Sequence, residues 1–104
     1  MRFLTLKIML CLLLSLIISR IEANTNNYSI SGRISDERTG SPLPGASILI
    51  KGTYLWAVSD QKGEFTIQGI QEGKYQLEVS FLGYVPATVP VNVNNSIKGI
   101  KIQL

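Results

Sequence analysis

The feature that most constrains the fold of this chain is a period-two alternation of apolar and polar residues. It runs through residues 28–104 and is clearest at residues 75–81, where Tyr75, Leu77 and Val79 are each followed by a polar residue. Because successive side chains of a strand point to opposite faces, each such segment has one apolar face. No window of helical length in this region shows a competing apolar stripe. The pattern therefore predicts an all-β domain.

Turn-forming residues separate the alternating segments, so the strands can be counted. The segment 60–63 is typical of a hairpin connection in which Gly63 takes a positive φ, and residues 71–73 connect the next two strands. A short strand near residues 57–59 brings the count to about seven. Two packed sheets bury one apolar face of every strand. We predict a seven-stranded antiparallel β-sandwich.

Two prolines predict where the strand at residues 85–93 lies in its sheet. In a strand, the backbone nitrogens of Pro86, Thr88 and Pro90 point to the same side. Both prolines lack an N–H to donate there. This side cannot form a full ladder of hydrogen bonds. We therefore place the strand at a sheet edge, with this side outward, and expect the amide of Thr88 to exchange quickly with solvent.

The first 23 residues have the pattern of a helical secretory signal peptide. Two basic residues precede an almost uninterrupted apolar stretch at residues 8–18, and a more polar segment follows. Its 11 residues fall short of the ~20 that a spanning helix needs, which favours a cleaved leader over an uncleaved anchor. We expect a signal peptide at residues 1–23, a polar lead-in at 24–27, the folded domain at 28–104, and no membrane span after cleavage.

The composition excludes several classes of function. The chain contains no His, which removes His-dependent nucleophilic triads and His-ligated zinc hydrolases. In a lipoprotein, the cysteine that carries the lipid lies at the end of the apolar stretch, directly after a small residue. The one cysteine of this chain, Cys11, lies in the middle of the stretch, so we interpret it as part of the leader. The remainder has seven basic and six acidic side chains, scattered singly, which do not form a nucleic-acid surface. We expect no enzyme activity, cofactor, metal or nucleic-acid partner.

Several short motifs, taken in order, resemble the carboxypeptidase regulatory-like domain family over about residues 28–104. They are Ile30–Asp36, Pro42–Ile48, Ile50–Thr53, Ser59–Ile67, Gly73–Leu77 and Ser80–Tyr84. The resemblance implies a transthyretin-like (prealbumin-like) sandwich of seven strands, loosely akin to carbohydrate-binding sandwiches. A signal peptide followed at once by this domain is similar to the N-terminus of SusC/RagA-type TonB-dependent outer-membrane receptors, where the domain precedes the plug and barrel on the periplasmic side.

This resemblance implies an exported, non-catalytic interaction module of the periplasm or outer membrane. Its expected partner is a protein of the cell envelope, either the plug and barrel of a receptor or a component of the TonB system. No plug or barrel sequence follows Leu104. We therefore expect a stand-alone domain or a piece of a larger receptor, and do not expect transport by this chain.

Tyr54 and Trp56 are the candidate binding residues. They are two apart, so in a strand they would share a face and could stack on a sugar or a peptide. In the other interpretation they supply packing area in the core, and because Gly52 and Thr53 could bulge the strand, the pattern leaves the face open. The alternative function is therefore a free-standing extracytoplasmic carbohydrate- or peptide-binding sandwich.

The carboxylates of Asp36, Asp60 and Glu64 are candidate calcium ligands. Lys62 occupies the position where a second oxygen ligand is needed, and no bidentate Glu follows. We predict instead that Asp60 hydrogen-bonds the backbone of its own turn. We also predict that Tyr84 packs across the corner between two strands.

Overall fold

The structure is a computed structural model that describes residues 5–12 and 26–104. Residues 5–12 form an exposed helix inside the predicted leader, and the rest of the leader and residues 24–25 lie outside the described residues. Within the described part of the chain, no helix combines the length and the apolar character needed to cross a membrane. The β-domain begins at Tyr28.

Seven strands form two packed sheets. The three-stranded sheet has the order β4-β1-β7, and the four-stranded sheet has the order β3-β2-β5-β6. The predicted all-β architecture with seven strands is confirmed. The strands are β1 (Tyr28–Ser35), β2 (Ser47–Ile50), β3 (Trp56–Val58), β4 (Glu64–Ile70), β5 (Gly73–Ser80), β6 (Ala87–Val93) and β7 (Ile97–Gln103).

The core lies between the two sheets and is built from the inward side chains that the alternation predicted. Leu77 and Val79 of β5 are completely buried, whereas Tyr75 is half-buried. Burying a large aliphatic side chain contributes about 1.5–3 kcal/mol, so this layer is the main source of stability. The other buried apolar residues are Ile30, Ile34, Leu43, Ala46, Ile48, Ile50, Phe65, Ile67, Ile70, Val93 and Ile102.

The prediction of purely antiparallel sheets is wrong at one pair of strands. β1 and β7 run parallel, with Arg33 beside Lys101, whereas all other pairs are antiparallel. Alternation predicts which side chains face inward but carries no information on the direction of a partner strand. Because the first and last strands are parallel neighbours, the domain begins at one end of the sandwich and finishes at the other.

The predicted edge position of β6 is confirmed, since β6 is the last strand of its sheet. The strand begins at Ala87, two residues later than predicted, so Pro86 lies just before it. Pro90 lies inside the strand, opposite Gln76 of β5. The fast exchange of the Thr88 amide stays a prediction.

Hydrogen bonds between loops close the end of the sandwich where β1 and β7 finish. We call this end, formed by residues 36–46, 59–63 and 81–86, the closed end. Ser59 is buried there, and its hydroxyl donates to the Leu43 carbonyl (2.6 Å) and accepts from the Ala46 amide (2.8 Å). The hydroxyl thus satisfies two backbone groups that the fold has removed from water.

Gly63 packs against the backbone of β1 at the closed end. Its carbonyl accepts from the Ile34 amide (2.7 Å), and its φ is +75°, as the turn prediction required. A Cβ at this position would collide with the Ile34 carbonyl oxygen, which accepts a hydrogen bond from the Leu43 amide (3.0 Å). Only glycine fits both the backbone conformation and the space.

Candidate functional site

The β2–β3 hairpin holds Tyr54 at the end of the sandwich opposite the closed end, which we call the hairpin end (residues 51–55 and 70–73). Thr53 orders the loop, because its hydroxyl donates to the Ile50 carbonyl (2.8 Å) and accepts from the Leu55 amide (3.1 Å). The Ile50 amide donates to the Leu55 carbonyl (3.0 Å). Tyr54 lies within this hydrogen-bonded turn, and its side chain is 100% exposed.

Trp56 begins β3 and lies opposite Leu49 of β2. Ala57 packs against the core, whereas Trp56 is 63% exposed and Val58 is 49% exposed. Since neighbours in a strand face opposite ways, Trp56 and Val58 share the outer face of the four-stranded sheet with Leu49. Neither Tyr54 nor Trp56 therefore packs in the core. Their predicted role in binding a sugar or a peptide stays a prediction.

We call Leu49, Trp56 and Val58 the β3 patch. The rings of Tyr54 and Trp56 make no contact with each other in the described structure. Leu49 and Val58 of this patch are not among the candidate residues predicted from the sequence. A signal for Leu49 was present, because it is an apolar residue at an outward position of an alternating strand.

The bonds to β2 determine which backbone groups of β3 face outward. The Leu55 carbonyl bonds to the Ile50 amide, and the Ser59 amide donates to the Ala46 carbonyl (2.9 Å). In an antiparallel pair, residues that bond to the partner alternate with residues that do not. The N–H and C=O groups of Trp56 and Val58 therefore point away from β2, along the open edge of the sheet.

Asp60 organises the β3–β4 turn, as predicted. One carboxylate oxygen accepts the backbone amides of Lys62 and Glu64, both at 2.9 Å. The Asp60 amide donates to the Glu64 carbonyl, and the Gly63 amide donates to the Asp60 carbonyl, again both at 2.9 Å. Among residues 5–12 and 26–104, no group of three or more His, Cys, Asp or Glu side chains is placed to hold a metal ion.

Asp36 and Tyr84 join two loops at the closed end. The Tyr84 hydroxyl donates to Asp36 Oδ2 (2.6 Å), and Oδ1 accepts the amides of Arg38 (2.7 Å) and Thr39 (3.0 Å). The bond from Tyr84, followed by the two amides, holds the pKa of Asp36 below its ordinary value, and the same bond raises the pKa of Tyr84. The Tyr84 ring packs on Phe81 with 5.4 Å between centroids, so the predicted packing of Tyr84 is confirmed.

The outer face of the three-stranded sheet is a second surface of different character. Arg33 of β1 lies between Glu64 of β4 and Lys101 of β7, and Ser31 and Thr66 form the neighbouring pair. These residues line a shallow depression of about 550 Å³. It carries charges of both signs, and no exposed aromatic ring lines it. The β3 patch is therefore the stronger candidate for contact with an apolar or aromatic partner.

Comparison with known proteins identifies the family of this sandwich. Residues 30–104 match the family model of the CarboxypepD_reg-like domain, which covers all of the fold except the first two residues of β1. The chain belongs to this family. The resemblance that the sequence motifs predicted is confirmed.

Two curated relatives of this CarboxypepD_reg-like domain are TonB-dependent receptors. The chain is 33% identical over 85 residues to the TonB-dependent receptor SusC of Bacteroides thetaiotaomicron, covering 82% of the chain and 8% of the receptor. It is 30% identical over 92 residues to the TonB-dependent receptor P3 of Formosa agariphila, covering 88% of the chain and 9% of that receptor. The chain thus spans less than a tenth of the length of either relative.

Solved structures related to this CarboxypepD_reg-like domain support the sandwich fold. A chain of a type II cohesin–X–dockerin complex from Acetivibrio cellulolyticus, an N-terminal interface mutant, is similar with a TM-score of 0.62 at 26% identity. That match covers 72% of this chain and 52% of that chain. A C-terminal interface mutant of the complex gives a TM-score of 0.63 at 24% identity with the same coverage.

Proposed function

We propose that the chain is a non-catalytic, exported interaction module that acts on the periplasmic side of a TonB-dependent outer-membrane receptor. In this proposal residues 1–23 direct export and residues 28–104 contact a receptor or a component of the TonB system. The observation that carries the proposal is the 33% identity to the receptor SusC over 82% of this chain. The same role applies to a stand-alone domain and to one joined to a receptor.

The path of the chain supports a linking role. The domain starts at the hairpin end and finishes at the closed end, where the Leu104 amide donates to the Ser35 carbonyl (3.0 Å) and the Leu104 carbonyl accepts from the Glu37 amide (2.8 Å). Leu82 and Val85, in the β5–β6 loop of this end, are 95% and 85% exposed. Exposed apolar side chains at the closed end favour a contact with a neighbouring protein there.

The use of the polar side chains supports the absence of catalysis. Asp60 and Asp36 accept hydrogen bonds from the amides of their own turns, and the buried Ser59 hydroxyl is engaged with two backbone groups. The sequence has no His that could serve as a general base. In the described part of the chain these groups stabilise turns and buried backbone.

The proposal is tested by localisation combined with site-specific photo-crosslinking of the tagged full chain in cells of a TonB-containing bacterium. A photo-crosslinking residue replaces Val85 at the closed end, and the matched control places it at Tyr54 at the hairpin end. We expect the processed protein in the envelope fraction, and a crosslink from position 85 to a TonB-dependent receptor or TonB-system protein identified by mass spectrometry. An unprocessed chain in the cytosol, or no such crosslink from either position, would refute the receptor role.

A second candidate function is favoured by the exposure of Tyr54 and Trp56, namely binding of a carbohydrate or peptide by a free-standing protein. Trp56 is the only tryptophan of the chain, so its fluorescence reports on this surface directly. Under this function, Trp56→Ala abolishes retention on a glycan column while the circular dichroism spectrum is unchanged. Unchanged fluorescence of the wild type across a panel of glycans and peptides would rule it out.

A further inference from the structure

The four sheet edges differ in whether another strand can pair with them. On β6, Pro90 has no donor to offer. β4 and β7 each have a break in register beside β1, and each break contains a glycine with positive φ, Gly69 or Gly99. Such bulges bend a strand away from regular pairing. β3 has neither a proline nor a register break, and its short length of three residues is the only protection of this kind that it has in the described fold.

The open edge of β3 also has the composition of a pairing surface. The N–H and C=O groups of Trp56 and Val58 point outward, as the bonds to β2 require. Residues 53–59 carry no charge, whereas β7 carries Lys98 and Lys101. Charged side chains are one of the means by which natural edge strands resist pairing, and this strand lacks them.

We propose that β3 pairs with β3 of a second copy of this chain, antiparallel and about a two-fold axis at Ala57. In this register Trp56 of each copy lies opposite Val58 of the other. Both are outward-bonding positions, so each opposed pair exchanges the two N–H···O=C bonds of an antiparallel bonded pair. The two four-stranded sheets then become one continuous sheet.

A second copy fits this edge because the strand is complementary to itself. An aromatic ring opposite a β-branched side chain is a favourable cross-strand pair, and Trp56 and Val58 supply both members. No like charges are brought together, because neither paired segment is charged. The arrangement uses the same patch on both copies and closes after two, which is typical of a two-fold dimer.

The dimer is expected to be weak. A three-residue strand offers little area compared with the roughly 1,600 Å² that stable complexes bury, so we expect a dissociation constant in the micromolar to millimolar range, about 10⁻⁶–10⁻³ M. The proposal concerns the association of the domain with itself and is independent of the receptor role.

The test is sedimentation velocity of residues 24–104, which contain all seven strands and the whole core, over a wide range of concentration. We expect a concentration-dependent dimer, accompanied by a blue shift of the Trp56 emission. Val58→Pro removes one outward donor from each copy without touching the bonds to β2, so it should weaken the dimer about tenfold or more. The matched control is Thr88→Pro, the same change at an outward position of the β6 edge, which should leave the association unchanged.

Amide hydrogen exchange of the unmodified protein gives a second measurement that does not depend on the folding of a variant. The amides of Trp56 and Val58 should become protected as the concentration rises, while that of Thr88 exchanges quickly at all concentrations. A protein that stays monomeric overturns the proposal. This holds even if an extended peptide from another protein pairs with β3 and shifts the Trp56 emission, because the partner would then not be a second copy of this chain. Association without protection at Trp56 and Val58 also overturns it, because another surface would then form the dimer.

Discussion

The two ends of the sandwich are built in different ways. At the closed end, the Ser59 hydroxyl and the Tyr84–Asp36 bond connect separate loops, and Gly63 packs tightly against β1. At the hairpin end, the Thr53 hydroxyl bonds within its own loop, and Tyr54 faces solvent. The loops of the closed end are therefore bonded to one another, whereas the β2–β3 turn of the hairpin end is bonded within itself, so Tyr54 is free to change without loss of the fold.

The largest expected effect is that of Gly63→Ala at the closed end. The new Cβ meets the Ile34 carbonyl oxygen and the backbone keeps an unfavourable positive φ, so the free energy of unfolding should fall by roughly 2–4 kcal/mol. The matched control is Gly40→Ala, because Gly40 has a similar φ of +73° but open space around it. Gly40→Ala should lower the free energy of unfolding by about 1 kcal/mol. Urea unfolding measures both, and equal losses would show that the packing of Gly63 is unimportant.

The next effect is that of Ser59→Ala. This change leaves the Leu43 carbonyl and the Ala46 amide without their partner in a buried site, which should lower the free energy of unfolding by about 1–3 kcal/mol. Ser80→Ala removes an exposed hydroxyl and should change it by less than about 0.5 kcal/mol. If the two variants unfold at the same urea concentration, Ser59 does not hold the closed end together.

A smaller effect, visible through its pH dependence, is that of Tyr84→Phe. The lowered pKa of Asp36 gives stability that is present above the ordinary value of 3.8 and is lost as the pH falls through the folded-state pKa. The raised pKa of Tyr84 gives stability that is present below its ordinary value of 10.0 and is lost as the pH rises through the folded-state pKa.

Thermal unfolding between these limits should therefore show a lower melting temperature for Tyr84→Phe than for the wild type. The difference should shrink as the pH is taken below the ordinary range of Asp36. If the difference in melting temperature is the same at neutral and acidic pH, the hydroxyl does not stabilise the fold through its bond to Asp36. It would then act by supporting the ring contact between Tyr84 and Phe81.

The smallest effect is expected at the hairpin end. Tyr54→Ser replaces a fully exposed side chain in a turn whose hydrogen bonds come from Thr53, so the free energy of unfolding should change by less than about 0.5 kcal/mol. Urea unfolding at low protein concentration measures it without interference from self-association. If Tyr54→Ser lowers the free energy of unfolding as much as Ser59→Ala does, the two ends do not differ in their contribution to stability.

Most of the fold could be predicted from the sequence because alternation reports directly on which side chains leave water. It identified the inward residues Leu77 and Val79, and the prolines identified the edge position of β6. The parallel pairing of β1 with β7 could not be predicted in this way, because the same alternation suits a partner of either direction. Such pairings depend on how loops cross between the sheets.

The candidate site was predicted only in part. Tyr54 and Trp56 could be named as candidates, but their faces depended on whether Gly52 and Thr53 bulged the strand. The register shows that they do not, because Trp56 to Val58 pair with β2 without a break, which fixes Trp56 on the outer face. The Thr53 hydroxyl bonds the Ile50 carbonyl and the Leu55 amide in this turn, an arrangement that a residue pattern does not encode.

The parallel neighbours β1 and β7 also determine how the domain responds to tension. A pull on its two termini moves these strands along their length in opposite directions, so the bonds of the ladder between them are loaded in shear and share the force. Two terminal strands joined as antiparallel neighbours would instead peel apart bond by bond. The mechanical strength of the domain therefore depends on the single interface between its first and last strands.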